Sequence, residues 1–299
     1  MRLGYIGLGK MGANMVDRLL EKGWQVVAHD RNPDAMNAAK SRGSETADTV
    51  QSVVDALGAP RLIWIMVPHQ AVDAVLDVLA PRLTTGDTVI DGGNSHFKDS
   101  IRRAGALEAK GIDFLDAGVS GGPGGAREGA CIMVGGRKEV FRRFETLFRD
   151  LSVPDGYSYM GGAGAGHFVK MVHNGIEYGM MQALAEGFAL LKASDFGLNL
   201  TKIADVYNHR SVIDSRLVGW LLGAFEQYGE DLKEISGSVA QSGEGAWTVE
   251  AGKELGVLTP IIEGALAFRM RSQNDPSYTG RLISAMRNQF GGHAVKAKE

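Results

Sequence analysis

The chain contains little of what marks several large classes of protein. Its 299 residues include one cysteine, Cys131, which excludes an internal disulfide and is typical of a reducing compartment. Because Cys131 sits in an apolar, strand-like run, we predict a core position for it. The net charge is −3, with no long basic or acidic run. Nucleic acid and anionic membranes are therefore not expected partners.

Long apolar runs are also lacking. The segment 62–67 has the length of a buried strand and falls far short of the ~20 residues that cross a bilayer. The N-terminus enters a strand directly, without the charged leader and apolar core of a signal peptide. We therefore expect no membrane association and a cytoplasmic location.

What the chain does contain is an alternation of apolar strand-like runs and helical segments in its first half. The predicted strands are 2–7, 25–30, 62–67, 88–91, 113–117, 130–134 and 158–160; the predicted helices are 11–21, 33–42, 71–80 and 139–149. After a glycine-rich break at 161–166, the predicted helices are 168–193, 200–209, 215–227, 246–255, 260–272 and 280–290. We predict an α/β Rossmann-type doubly wound domain over 1–162 and an all-α domain over 163–299.

A G-x-G-x-x-G motif follows the first predicted strand and opens the first helix. Its residues are Gly7, Leu8, Gly9, Lys10, Met11 and Gly12. In this context Gly7 allows a tight turn, Gly9 lets a pyrophosphate approach the backbone, and Gly12 packs the helix on the strand. The motif predicts a dinucleotide site.

The cofactor preference depends on two residues at the end of the second strand. Asp30 stands 18 residues after Gly12, where a carboxylate binds both ribose hydroxyls and repels a 2′-phosphate. Arg31 follows it and is able to pair with such a phosphate. We predict NAD as the cofactor, with NADP as the alternative.

Three further segments end at the same predicted sheet edge, where ligands of open α/β sheets bind. They are Val67-Pro68, the run 91–95 with Asn94, and the run 118–122 with Ser120, Gly121 and Gly122. Their glycines admit a ligand close to the backbone, while Asn94 and Ser120 offer hydrogen bonds. We predict that all three line one crevice, in which Val67, Pro68 and Asn94 contact the cofactor.

The long helix 168–193 carries Lys170, His173, Asn174 and Glu177 at spacings of three, four and seven residues. At about 100° per residue these four fall on one stripe, within roughly 10 Å of axis. Such a row offers a base, two hydrogen-bonding groups and an acid to a small polar substrate. The remaining residues of the helix are mostly apolar, so we expect it to be buried nearly all round.

These motifs together resemble the β-hydroxyacid dehydrogenase superfamily, and within it the short, single-repeat form of the decarboxylating 6-phosphogluconate dehydrogenase family. The resemblance runs the length of the chain. The glycine motif and 119–122 are shared across the superfamily, whereas 91–95, 166–179 and 287–293 are more specific.

The resemblance implies a role for each matching residue. Lys170 would take the hydroxyl proton at carbon 3 of a sugar-acid phosphate, and Glu177 would protonate carbon 1 after decarboxylation. Residues expected to hold the carboxylate and hydroxyls are Asn94, Ser120, Gly121, Gly122, His173 and Asn174. Residues expected around the phosphate are Tyr178, Arg269 and Arg287, and Thr248 is expected to contact the substrate. His293 would reach a neighbouring subunit's site in a homodimer or homotetramer, and no metal is expected.

The chain departs from the family pattern at Ala246, where a lysine or arginine is usual. Two alternatives therefore stay open. One is another β-hydroxyacid dehydrogenase acting on an unphosphorylated acid, although such enzymes typically have asparagine at the position of His173. The other is a dinucleotide-binding sensor without catalysis, which would have lost the lysine or the acid.

Overall fold

The computed structural model describes residues 1–241 and 243–292. The chain forms two compact units, Met1–Lys170 and Met171–Glu299. Our predicted domain boundary, after residue 162, stays a prediction.

The first unit is built on one sheet of eight strands in the order β3-β2-β1-β4-β5-β6-β7-β8. Neighbouring strands are parallel, except that β6 and β7 are antiparallel. The strands are β1 (Arg2–Ile6), β2 (Gln25–His29), β3 (Glu45–Thr46), β4 (Leu62–Ile65), β5 (Thr88–Asp91), β6 (Asp113–Ser120), β7 (Ala130–Gly136) and β8 (Ser152–Gly161). The strand order reverses between β1 and β4, and a ligand crevice is expected at their carboxyl ends.

Helices pack on both faces of this sheet. They are α1 (Lys10–Glu21), α2 (Pro33–Ser41), α3 (Val50–Ala56), α4 (His69–Leu79), α5 (Phe97–Glu108), α6 (Gly122–Glu128), α7 (Lys138–Arg143) and α8 (Glu145–Leu151). One core contains Tyr5, Trp64 and Phe148, and the other contains Ile63 and Phe114. Because alternate strand residues face opposite cores, β4 (Leu62–Ile65) is apolar throughout, as a doubly covered parallel sheet favours. The predicted Rossmann-type fold is confirmed.

The second unit is helical in its described part. It contains most of α9 (Ala165–Ala193), followed by α10 (Leu200–Tyr207), α11 (Arg216–Tyr228), α12 (Glu244–Leu255), α13 (Pro260–Ser272) and α14 (Tyr278–Gly291). Its core is built around Met181, Phe188, Leu221, Phe225 and Ile283. No helix among the described residues is long and apolar enough to cross a membrane.

Several local predictions in the first unit were wrong. The sequence pattern missed β3, α3, α5 and α6. The predicted helix 139–149 is two helices, because Phe144 leaves helical geometry with φ −112° and ψ 17°. The final strand, β8, spans ten residues, of which only three were predicted. Most of β8 is at least partly exposed, so it lacks the apolar pattern that marks buried strands.

Cys131 does not lie in the core. It is exposed on β7, between the buried residues Ala130 and Ile132. Side chains alternate between the two faces of a strand, so the residue between two buried neighbours points away from them. The apolar run that contains Cys131 thus misled the prediction of its burial.

The expectation that α9 is buried nearly all round was also wrong for the single chain. Ile176 is 53% exposed and Met180 is 44% exposed, four residues apart on one face of the helix. Ile261 of α13, which is also exposed, lies next to Gly179 on this face. The side of α9 that carries Ile176 and Met180 is therefore open to solvent.

Candidate active site

The glycine motif forms the turn between β1 and α1. Gly7 has φ +105°, a conformation that glycine adopts without strain. A Cβ atom at Gly12 would stand 2.0 Å from the Gly7 carbonyl oxygen, so a larger residue would push α1 off β1. A Cβ atom at Gly9 would meet nothing within 4 Å. The first N–H groups of α1 are thus accessible to a pyrophosphate at Gly9.

Asp30 is held by the backbone of the same turn. The Leu8 N–H donates to Asp30 Oδ2 at 2.6 Å, and the Asn32 N–H donates to Oδ1 at 2.8 Å. Asp30 and Arg31 line a cavity of about 660 Å³, a volume typical of small-molecule sites. The glycine turn, the oriented carboxylate and this cavity fit the pyrophosphate and the adenosine half of a dinucleotide.

The loops after β4 and β5 contact each other at the same sheet edge. A Cβ atom at Gly93 would stand 2.8 Å from the Val67 carbonyl oxygen, which brings the Val67-Pro68 segment against the 91–95 run. Ser95 Oγ donates to Asp91 Oδ2 at 2.7 Å and is buried, whereas Asn94 beside it is exposed. The loop therefore turns Ser95 inward for structure and leaves Asn94 accessible.

Arg103, a residue that sequence reasoning missed, ties these two loops together. Its Nη1 donates to Asp91 Oδ2 at 3.2 Å and to Ser95 Oγ at 3.0 Å, while Nη2 donates to the His69 carbonyl oxygen at 3.4 Å. Its Nε and Nη2 also pair with Asp73, and this contact together with Arg102 holds the pKa of Asp73 at about 2. Arg103 is only 3% exposed. It holds Asp91, Ser95 and the start of α4 in fixed positions relative to one another.

Lys170, a residue of α9, belongs to the first unit and lies against β6 at Gly118. It is buried, and its Cβ atom lies so close to the backbone of Gly118 that a Cβ there would stand 2.4 Å away. Two residues beyond Gly118, β6 ends at Ser120, and Gly121 and Gly122 follow with φ +128° and +65°. The predicted substrate residues of β6 thus lie within a few residues of the strand position that Lys170 contacts.

The other members of the helical stripe interact with one another. His173 Nδ1 lies 3.0 Å from Asn174 Oδ1 and 4.0 Å from Glu177 Oε2. All three side chains are partly exposed. Three of the four predicted polar groups, His173, Asn174 and Glu177, are therefore neighbours on one surface of α9.

A buried cationic cluster lies further along α9, in the second unit. The Arg269 guanidinium stacks 3.4 Å above the Tyr178 ring, and Arg287 Nη1 donates to the Ala240 carbonyl oxygen at 2.6 Å. Arg269 is 2% exposed and Arg287 is 8% exposed. Neither guanidinium forms an ion pair with a carboxylate among the described residues.

Burial changes the pKa values of both arginines in this cluster. Burial lowers the pKa of Arg269 to about 10, and the like charge of Arg287 acts in the same direction. Burial also lowers the pKa of Arg287. The buried hydroxyl of Tyr178 has no hydrogen-bond partner in the described part of the chain. Two buried cations beside an unsatisfied hydroxyl are chemically suited to an anion with several acceptor oxygens.

Two other predicted substrate residues are Thr248 and His293. The Thr248 hydroxyl is buried and lies 2.8 Å from the carbonyl oxygens of both Met171 and Glu244, so it already has backbone acceptors. Its role in substrate binding stays a prediction. His293 lies outside the described residues. Glu244, which sequence reasoning missed, is buried and interacts electrostatically with Arg269 and Arg287.

The fold and the site at the ends of β1 and β2 are those of a dinucleotide-binding dehydrogenase. Residues 2–162 match the family model described as the NAD binding domain of 6-phosphogluconate dehydrogenase, and residues 166–280 match the model of its C-terminal domain. The chain therefore belongs to the 6-phosphogluconate dehydrogenase family of oxidoreductases.

Individual relatives agree with this assignment. The chain is 48% identical over 301 residues to a Bacillus subtilis protein named putative 6-phosphogluconate dehydrogenase YqeC, with 100% of both chains covered. It is 45% identical over 301 residues to the NAD(+)-dependent, decarboxylating 6-phosphogluconate dehydrogenase of Haloferax volcanii, again with 100% of both covered.

A solved structure of the longer form is also similar. The Plasmodium falciparum 6-phosphogluconate dehydrogenase, described with NADP+ and with 6-phosphogluconate, matches with a TM-score of 0.82 and 28% identity. The match covers 92% of this chain and 62% of that one. The present chain thus corresponds in length to the short relatives and to part of the longer enzyme.

Replacing Asp30 tests whether this residue binds the ribose of the cofactor. Asp30→Ala should weaken NAD binding about tenfold to a hundredfold, because hydrogen bonds to a charged acceptor are lost. NADP binding should change much less, since the lost carboxylate also repels the 2′-phosphate. Arg31→Ala is the matched control and should weaken NADP more than NAD. The measurement is the dissociation constant of each dinucleotide. Equal losses of NAD and NADP affinity in Asp30→Ala would exclude the assignment of Asp30 to the ribose.

The neighbouring arginines 102 and 103 both pair with Asp73 and so form a matched pair. Arg103→Ala should lower the free energy of unfolding by about 3–5 kcal/mol, because it leaves Asp91 buried without its cation. Arg102→Ala removes an exposed pair and should stay within about 0.5 kcal/mol of the parent. Urea denaturation of both variants provides the comparison, and similar losses would contradict the role given to Arg103.

Proposed function

We propose that this protein catalyses the oxidative decarboxylation of 6-phosphogluconate to ribulose 5-phosphate and carbon dioxide. The observation that supports it most directly is the pair of buried arginines, 269 and 287, of which Arg269 stacks on Tyr178 and Arg287 interacts with it electrostatically. Burying two cations without a carboxylate partner is costly unless an anion joins them. A phosphate monoester suits this cluster because guanidinium groups bind its oxygens in bidentate fashion.

The proposed catalytic groups and Tyr178 belong to the same helix, α9. Lys170 and Tyr178 are eight residues apart on the continuous helix α9, about 12 Å along its axis. This separation is on the scale of an extended six-carbon acid with a terminal phosphate. His173, Asn174 and Glu177 occupy the helix between them, where they would meet the carboxylate and hydroxyls.

Lys170 is the proposed base for the hydroxyl proton at carbon 3. The hydride acceptor in this chemistry is the nicotinamide of the bound dinucleotide. The resulting 3-keto acid loses carbon dioxide readily once its carbonyl oxygen is polarised, and protonated Lys170 would supply that polarisation. Glu177 is the proposed acid that then protonates carbon 1. Lys170 must be neutral to start, which a buried position favours.

The remaining substrate contacts are proposed from the ends of β5 and β6. Asn94 is accessible beside the buried Ser95, and Ser120, Gly121 and Gly122 follow the strand that Lys170 contacts. These groups would hold the carboxylate and hydroxyls of the acid. Because Ala246 stands where a cation is usual in the family, we assign the phosphate to Tyr178, Arg269 and Arg287.

We propose NAD as the preferred cofactor, with NADP as the weaker one. Both carboxylate oxygens of Asp30 are fixed by backbone N–H groups at the rim of the cavity, so the negative charge is oriented before a cofactor binds. The short relative from Haloferax volcanii is named as NAD(+)-dependent. Arg31 is exposed and lines the same cavity, which leaves a route to the NADP phosphate.

The protein is proposed to work as a homodimer or homotetramer. The exposed apolar side chains of Ile176 and Met180, with Ile261 beside them, form a surface that a second copy would cover. The segment that contains His293 is proposed to reach the neighbouring copy's site, as the family resemblance implies.

The phosphate assignment is tested with Arg287→Ala. The variant should raise KM for 6-phosphogluconate about tenfold to a hundredfold, because charge-assisted hydrogen bonds to the phosphate are lost. NAD affinity should not change. Arg281→Ala, on the same helix, is the control and should leave KM unchanged. The assay follows reduced nicotinamide and released carbon dioxide together, with gluconate and 3-hydroxyisobutyrate as alternative substrates.

Two outcomes of that assay would contradict the proposal. Unchanged KM in Arg287→Ala would exclude this arginine from the phosphate site. A wild-type protein that is silent with 6-phosphogluconate but active on an unphosphorylated acid would show that the enzyme acts on a different substrate.

Lys170→Ala tests the proposed base. Loss of a general base should lower kcat by about a hundredfold to ten-thousandfold, with NAD affinity retained. Lys192→Ala removes another lysine from α9, one that pairs with Asp231, and should leave kcat unchanged. Near-normal turnover by folded Lys170→Ala would exclude the mechanism.

A further inference from the structure

A buried carboxylate lies under the first turn of α9. Asp116, in β6, is fully buried. Its Oδ1 accepts a hydrogen bond from the Gly164 N–H at 2.7 Å, and its Oδ2 accepts one from the His167 N–H at 2.8 Å. Asp116 therefore satisfies two of the N–H groups that a helix N-terminus leaves without intrahelical partners. Its charge also complements the positive end of the helix dipole.

Three glycines let this turn lie directly on the sheet. A Cβ atom at Gly166 would stand 2.5 Å from the Met133 carbonyl oxygen and 2.6 Å from that of Asp116. A Cβ atom at Gly135 would stand 2.5 Å from Asp116 Oδ1 and 2.6 Å from the Gly166 nitrogen. Backbone atoms of α9, β6 and β7 are thus in contact, with no side chain between them to absorb a shift.

The third glycine connects this contact with Lys170. Asp116 and Gly118 are two residues apart in β6 and therefore face the same side of the sheet. Gly118 lies under Lys170: a Cβ atom there would overlap Lys170 Cβ at 2.4 Å and the Gly166 carbonyl oxygen at 2.9 Å. The strand that caps the helix with Asp116 also sets the distance of Lys170 from the sheet.

A second contact restrains the same turn from another side. His167 Nδ1 lies 2.7 Å from Ser100 Oγ of α5, and both residues are buried. His167 precedes Lys170 by three residues and so lies on the same side of α9. The turn is thus held by its backbone to Asp116 and by a side chain to α5.

We propose that Asp116 is a positioning residue for Lys170: through the amides of Gly164 and His167 it fixes the height and rotation of α9's first turn on β6. The proposal rests on the role given to Lys170 above. It accounts for a fully buried carboxylate that touches neither the cofactor cavity nor the arginine cluster. A displacement of about 1 Å at a reacting group costs on the order of a hundredfold in rate, so a loosened cap should act on kcat.

The test compares Asp116→Asn with the parent protein. Asparagine keeps the size and one acceptor oxygen but loses the charge and the second acceptor. We expect kcat with 6-phosphogluconate to fall about tenfold to a hundredfold, while KM and the dissociation constant of NAD stay within about twofold. Hydrogen exchange of the backbone amides over 164–170 should accelerate, with other segments unchanged.

Two further variants separate positioning from general stability. Gly118→Ala leaves Asp116 intact but pushes on Lys170, and it should reproduce the loss of kcat. Asn199→Ala removes the side-chain cap of α10, where Asn199 Oδ1 accepts from the Lys202 N–H at 2.6 Å. This control loses a helix cap in the second unit and should keep kcat.

The possible outcomes are distinct from those for the proposed function. Unchanged kcat in folded Asp116→Asn with faster exchange over 164–170 would make Asp116 a structural cap only and overturn the proposal. Equal falls in kcat for Asp116→Asn and Asn199→Ala would do the same. If the wild type does not turn over 6-phosphogluconate, the proposed function fails. Exchange over 164–170 then tests the restraint on α9 alone: faster exchange in Asp116→Asn would support that part of the proposal, and unchanged exchange would refute it.

Discussion

The close approach of helix N-termini to strand backbone is the constraint on which the first unit depends. At α1, a Cβ atom on Gly12 would strike the Gly7 carbonyl oxygen, and at α9 the same holds for Gly166 and the strands β6 and β7. In both places contact at backbone distance brings a helix terminus to the carboxyl edge of the sheet. The proposed pyrophosphate site and Lys170 are thereby positioned by main-chain geometry, which varies less than side-chain packing does.

Buried arginines have different surroundings in the two units. Arg103 is neutralised by Asp91 and Asp73 and holds two loops together, so its charge is used for structure. Arg269 and Arg287 have no carboxylate partner at ion-pair distance among the described residues, so their charge is available to a ligand. The difference between a paired and an unpaired buried cation separates a structural residue from the proposed binding residues here.

Sequence patterns predicted the elements with strong periodicity and missed those without it. The central strands and α9 were readable because burial on both faces, or a long helical period, leaves a clear apolar pattern. The short β3, the glycine-rich α6 and the mostly exposed β8 leave none. Local motifs located the glycine turn, Asp30 and the α9 stripe. Arg103, Asp116 and Glu244 were missed because their partners are distant in sequence, and such contacts arise only once the chain has folded.

The continuity of α9 also limits how this stretch of the chain can vary over evolution. Its 29 residues contain no break between Lys170 and Tyr178. One inserted or deleted residue in that interval would turn every later side chain by about 100° and move it about 1.5 Å along the axis. Substitutions can accumulate there one at a time, but changes of length cannot. Loops at the sheet edge tolerate added residues. The number of residues between Lys170 and Tyr178 should therefore vary less among relatives than the residue types in that interval do.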